Sequence, residues 1–220
     1  MAEPVPVTVV DLGLGNLGSV LQALRRAGGA PSLSSGPAAI VRAQRLILPG
    51  VAAFGLGMER ADQLSLLPAL KGALARGTPL LGICLGMQIL FEEGDEDGTR
   101  KGLGLLPGRV TKLPALVSVP HIGWQRLVAA AADSPLLPAR DAAPGRPWAY
   151  FAHSYHCEAG ADVVAAVALH VPRAGGEPVR VAAVVRRGLV HGVQFHPEKS
   201  ADAGQALLAR FLALPAGAAA

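Results

Sequence analysis

The stretch TPLLGICLGMQILFE (Thr78–Glu92) decides the fold. TPLLGI is an apolar run of strand length, and LGMQILFE reads as a helix. Cys84 stands at the junction, between Gly82 and Gly86. Gly-x-nucleophile-x-Gly on a strand-to-helix turn is a nucleophile elbow, whose glycines allow a sharp turn and close backbone approach. In an open α/β sheet such a turn lies at the carboxyl edge, where ligands bind. A helix starting at Leu85 aims its first N–H groups at the thiol and favours thiolate. The Leu85 N–H is placed to donate to an oxyanion. The competing reading is a buried cysteine acting as a small hydrophobe.

Upstream, VPVTVVDLG reads as a buried strand, and GNLGSVLQALRRAGG as a helix ended by Gly28 and Gly29. RLILPG (Arg45–Gly50) is a second strand, followed by a helix over Met58–Arg76 with a kink at Pro68. This β-loop-α repetition indicates an α/β fold: an open, mostly parallel sheet with helices on both faces. Downstream, GRVTKL, WQRLVA, WAYFAHSYHCE, VVAAVALHV, VRVAAVVRRG and LVHGVQFHP read as added, hairpin-like strands. EEGDEDGTR (Glu92–Arg100) reads as a solvated loop. SADAGQALLARFLAL closes the chain as a helix capped by Ser200. Residues 1–220 are expected to form a single domain, with 215–220 a frayed tail.

Composition excludes several classes. The chain is 51% hydrophobic and 16% charged, which argues against disorder. It has no apolar run long enough for a membrane span, and no signal peptide is expected. Two cysteines, Cys84 and Cys157, are too few for a disulfide framework, so a cytoplasmic protein with free thiols is expected. The net charge of +4 is scattered, and aromatics are only 4%, so no nucleic-acid platform is read. GLGNLG has the spacing Gly-x-Gly-x-x-Gly but lacks the acidic residue some 20 positions on, which disfavours a dinucleotide site. HSYHCE concentrates His, Cys and Glu, but His153 and His156 face opposite sides of a strand. No metal and no cofactor are expected.

GVQFHPEKS (Gly192–Ser200) supplies a base. His196 suits general acid–base work on a thiol, and Glu198, two positions on in an extended segment, projects to the same side and fixes the tautomer. A surface turn with polar punctuation is the alternative. LPGVAAFG (Leu48–Gly55) brings a second backbone N–H, that of Val51, toward the oxyanion; an ordinary βα turn is the alternative. The order Cys, His, Glu differs from α/β-hydrolases, which run nucleophile, acid, His. The Cys-Gly-x-Cys context of papain-like proteases is absent.

Together with DLGLGN (Asp11–Asn16), HIGW (His121–Trp124) and YFAHSY (Tyr150–Tyr155), these stretches resemble the class I, triad-type glutamine amidotransferases. Within them the chain resembles the glutaminase subunits of imidazole glycerol phosphate synthases. The resemblance implies a flavodoxin-like fold and a Cys84–His196–Glu198 triad that hydrolyses glutamine through a glutamyl thioester. It implies Gln88, Glu96, Ser154 and Tyr155 as substrate-site residues, with Tyr155 towards the partner. It implies Asn16, Trp124 and Lys199 at the interface with a (β/α)8 synthase subunit, which receives the ammonia. Ala52 departs from the family's Pro-Gly-Val-Gly oxyanion loop, Leu12 replaces a common Tyr, and Gln125 a common Asn. Two alternatives stand beside this: the glutaminase of a GMP, anthranilate or aminodeoxychorismate synthase, or a non-catalytic subunit of the same fold.

Overall fold

The computed structural model describes residues 3–138 and 147–216. In the first half, strands and helices alternate: β1 (Val5–Val10), α1 (Leu17–Arg26), β2 (Gly29–Ser34), α2 (Pro37–Arg42), β3 (Leu46–Gly50), α3 (Phe54–Gln63), α4 (Leu66–Ala75), β4 (Leu80–Cys84) and α5 (Leu85–Gln88). The chain continues through β5 (Glu93–Gly94), β6 (Arg100–Lys101), β7 (Arg109–Lys112), β8 (His121–Ala129), β9 (Trp148–His153), β10 (Tyr155–Glu158), β11 (Val164–His170), β12 (Val179–Arg187) and β13 (Val190–Val193). A 3-10 turn at Pro197–Lys199 leads into α6 (Ala201–Leu212).

Nine strands form one sheet in the order β2-β1-β3-β4-β13-β12-β11-β8-β9. From β2 to β13 the pairings are parallel, and from β13 to β9 they are antiparallel. The parallel part runs 2-1-3-4-5 in the order its strands occur, the flavodoxin-like winding. β3 and β4 are buried along their whole length, as expected of central parallel strands covered on both faces. Val10, Leu46, Leu48 and Leu80 share one apolar cluster with residues of α2, α3 and α4. Val9, Ile47, Leu81 and Val193 share the other with α1 and α6. A second, four-stranded sheet, β10-β7-β5-β6, is inserted between β4 and β13.

Several local expectations are corrected. The helix read over Met58–Arg76 is two helices, broken at Ser65, which lies at φ 49°. Pro68 causes no kink, because it falls in the first turn of α4, where a missing N–H costs nothing. LGMQILFE is helical only to Gln88. The carbonyls of Ile89, Leu90 and Phe91 instead accept from N–H groups of Leu103–Leu106. That crossing loop occupies the space a continuing helix would need. β2 escaped the sequence reading because GAPSLS is a largely exposed edge strand, the place where Pro31 is tolerated. EEGDEDGTR is a hairpin between β5 and β6 rather than a loose loop. WAYFAHSYHCE splits at Ser154 into β9 and β10, one in each sheet. Ser200 precedes α6 but makes no capping bond; its hydroxyl donates to the His196 carbonyl and accepts from the Tyr150 N–H. Of the tail, residues 217–220 lie outside the described residues.

Three buried histidines tie the antiparallel extension together or line the core. His121 stacks on His170 and Phe151, and its Nδ1 lies 3.1 Å from His153 Nε2. His191 packs edge-on to Phe211. Burial pushes His121 down to about 4, His153 to about 3 and His191 to about 4. Folded values below the unfolded 6.5 mean the unfolded chain binds more protons as pH falls. Their contribution to stability is therefore full above pH 6.5 and is lost as pH falls from there toward 4. Thermal melts are expected to drop by several degrees between pH 7 and pH 5, and His121→Phe to flatten that slope.

Candidate active site

Four chain crossings meet above the carboxyl ends of the central strands. They are the loop after β1, the turn after β3, Cys84 at the end of β4, and the segment after β13. Gly50 and Cys84 are register partners, so the β3 turn and the elbow lie side by side. A cavity of about 30 Å³ beneath them is lined by Leu14, Asn16, Gly50, Val51, His196 and Glu198, among others.

The elbow is strained and tightly wedged. Cys84 adopts φ 54°, ψ −113°, a region that costs a non-glycine residue about 1–3 kcal/mol. A Cβ on Gly86 would overlap the Leu48 carbonyl oxygen. A Cβ on Gly82 would stand 2.6 Å from the Gly86 carbonyl oxygen. Both glycines are thus required by backbone contact. All four residues of α5 are buried.

His196 follows β13, and its Nδ1 lies 2.8 Å from Glu198 Oε1, both side chains being almost wholly buried. The contact forms through the 3-10 turn at Pro197–Lys199, not through the extended segment expected. Burial pulls His196 down, but hydrogen bonds and charge from Cys84 and Glu198 outweigh it and lift it from 6.5 to about 9. At neutral pH that favours the imidazolium, whose Nδ1 donates to the Glu198 carboxylate. The Leu85 N–H begins α5 directly after the sulfur-bearing residue. Val51 is 56% exposed at the end of β3, its nitrogen beside Gly15. Ala52 is half-buried and keeps φ below zero.

The other expected residues fall into two groups. Gln88, on α5, is buried, and its Nε2 donates to the Tyr155 carbonyl at 2.9 Å and to Gln194 Oε1 at 3.0 Å. Glu96 Oε2 accepts from the Phe54 N–H at 2.6 Å, at the amino end of α3. Burial, then the charges of Glu96 and Asp97, push the Tyr155 hydroxyl up. Ser154 marks the crossing between sheets, its carbonyl accepting from the Leu113 N–H. The second group lies outward. Trp124, 48% exposed, meets the Tyr150 ring edge-on, and Lys199 Nζ sits 5.8 Å from the same ring. Asn16 caps α1 through Ser19 and shares the cavity wall with Lys199. Burial pushes the Cys157 thiol well up, in keeping with an idle packed cysteine. Among the described residues no cluster suited to a metal is present.

Gln194 was missed by sequence reasoning. It is fully buried, and its Nε2 lies 3.8 Å from Cys84 Sγ. The signal was a lone amide inside the apolar run Val193-Gln194-Phe195.

Residues 9–214 match the model of the family described as glutamine amidotransferase class-I. The chain belongs to that family. It is 45% identical over 205 residues to the Symbiobacterium thermophilum protein named imidazole glycerol phosphate synthase subunit HisH, covering 93% of this chain and 92% of that one. The Geobacillus kaustophilus protein of the same name is 43% identical, with 96% and 98% covered. A Thermotoga maritima structure described as PurLQS aligns at a TM-score of 0.71 and 22% identity, over 96% of this chain and 99% of that one. At that identity the structural match speaks for the shared amidotransferase fold alone.

Gly86→Ala is expected to prevent folding or abolish the elbow, read as loss of soluble protein or of a cooperative melt. The raised His196 value has a stability consequence of opposite sign to the other histidines. Its stabilisation is full below 6.5 and is lost as pH rises through about 9. Melting temperatures of wild type are expected to fall over that window, and those of His196→Gln to fall less.

Proposed function

We propose that this class-I amidotransferase hydrolyses glutamine to glutamate and ammonia and passes the ammonia to a (β/α)8 synthase subunit. The product of that pair is imidazole glycerol phosphate, with AICAR, in histidine biosynthesis. The HisH names of relatives matched along almost their whole length support this choice of synthase. We infer that residues 1–220 act as one amidotransferase domain working in the cytoplasm. No helix among the described residues is long and apolar enough to cross a membrane.

One observation carries the mechanism: a strained cysteine beside a histidine whose Nδ1 is held by a buried carboxylate. Cys84 Sγ attacks the side-chain carboxamide carbon of glutamine. The N–H groups of Leu85 and Val51 receive the oxyanion, the latter once the β3 turn presents it. His196 gives its proton to the departing nitrogen, which leaves as ammonia, and a glutamyl thioester remains. His196, now neutral, takes a proton from water, which attacks the thioester and releases glutamate. Glu198 keeps the Nδ1 proton in place throughout. Gln88, Glu96, Ser154 and Tyr155 form the glutamine pocket, and Asn16, Trp124 and Lys199 the docking face. Delivery by direct contact suits the product, because ammonia released into neutral water is protonated and ceases to be a nucleophile.

The test is glutamate release by wild type and Cys84→Ala, each with the barrel subunit and its nucleotide ligand. Wild type is expected to exceed the variant by a factor on the order of 10³ or more. Equal rates would sink the enzyme reading and favour a non-catalytic subunit.

A further inference from the structure

We infer that Gln194 is a positioning residue that donates to the Cys84 sulfur, and that its direction is set by the backbone carbonyl of Tyr155. The catalytic meaning of this rests on the glutaminase reading above.

The argument is one of hydrogen-bond polarity. A backbone carbonyl only accepts, so the group of Gln88 lying 2.9 Å from the Tyr155 oxygen must be its NH2. The second hydrogen of the same nitrogen points at Gln194, 3.0 Å away, and demands an acceptor there. Gln194 must therefore turn its Oε1 to Gln88, which leaves its NH2 facing Cys84 Sγ at 3.8 Å. Each amide has only one orientation consistent with its neighbour. The chain of donors runs one way, from Gln88 through Gln194 to the sulfur.

Two consequences follow for the reaction. A donor aimed at sulfur stabilises thiolate more than thiol, because a thiol sulfur is a weak acceptor. Gln194 is fully buried, so water does not compete for that position. Gln194 thus reaches the Cys84 sulfur as a donor from inside the protein. The second consequence concerns Gln88. Both of its amide hydrogens are committed, so it presents only its carbonyl oxygen to a ligand. It therefore receives donors of the substrate and rejects an acceptor at the same place.

The measurement is the pH profile of Cys84 alkylation by iodoacetamide, which needs neither glutamine nor a partner. Gln194→Met keeps length and apolar shape but removes the donor. Gln194→Glu keeps an acceptor for Gln88. Ionised, as the donating NH2 of Gln88 favours, the Glu repels the thiolate and offers it no donor. Both variants are expected to move the alkylation midpoint to higher pH. The rate at neutral pH should drop about tenfold, the scale of losing one hydrogen bond to a charged group. An unchanged midpoint in a variant that melts cooperatively would overturn the inference. Should both variants fail to fold, wild type decides. The Gln194 side-chain amide resonances, assigned by NMR, should shift with the alkylation midpoint, and their indifference to pH would also overturn it. Loss of glutamine hydrolysis in wild type with its partner would instead overturn the glutaminase reading and leave the thiol result standing.

Discussion

The backbone contact between Gly86 and the Leu48 carbonyl is the constraint on which the site depends. It lets α5 drop into the notch between β3 and β4 instead of riding above it. With Gly82 equally close to the elbow's own backbone, the chain has one way to leave β4, and that way drives Cys84 to φ 54°. A strain of about 1–3 kcal/mol persists only where surrounding packing over-determines it. Here that packing is a helix of four buried residues, with Leu85 pressed against Gly50 and Gly57. The same contact fixes where the Leu85 N–H points and brings the β3 turn alongside.

Burial alone does not decide how the histidines behave. His121, His153, His191 and His196 are all nearly inaccessible, yet three are driven down and one is lifted to about 9. The first three face rings and other histidines, with the Arg186 charge also near His191, so desolvation prevails, for His153 even over its hydrogen bond to the Tyr155 carbonyl. His196 faces a carboxylate at 2.8 Å and a thiol, and in a desolvated setting those attractions outweigh the cost of burying charge. These three thus favour the neutral form, as buried His156 also does, whereas His196 at the candidate site favours the charged one. The distinction comes from partners supplied by the Pro197–Lys199 turn.

Much of this was legible in the chain. The elbow reads from five residues because its glycines answer a local backbone demand. His196 and Glu198 read as a pair because they are neighbours in sequence, although the turn joining them was taken for an extended segment. The helices were less legible where tertiary contacts end them. Nothing in LGMQILFE announces that Leu103–Leu106 will claim the carbonyls at its close. β2 was invisible because an exposed edge strand has no apolar pattern to show. Gln194 was visible as a misplaced amide, but its role depends on Gln88 and Tyr155, some 106 and 39 positions away. Glu96 was read first as a solvated loop residue because its partner, the Phe54 N–H, lies across the molecule.

The insertion between β4 and β13 explains why so remote a residue as Tyr155 reaches the sulfur. It returns the chain to the site twice, through β10 to Gln88 and through β9 to His196. Through β10, the Tyr155 carbonyl orients Gln88 and hence Gln194. Through β9, the Tyr150 carbonyl accepts from the His196 N–H at 2.9 Å, and Ser200 links the same two backbones. Tyr150 is also the ring on which Trp124 and Lys199 rest, at the proposed docking face. His196 is therefore one backbone hydrogen bond from that face, while the sulfur is reached by the separate amide chain. Cys84 itself is anchored by the close approach of Gly86 to Leu48, so the sulfur and the imidazole are fixed by different parts of the fold.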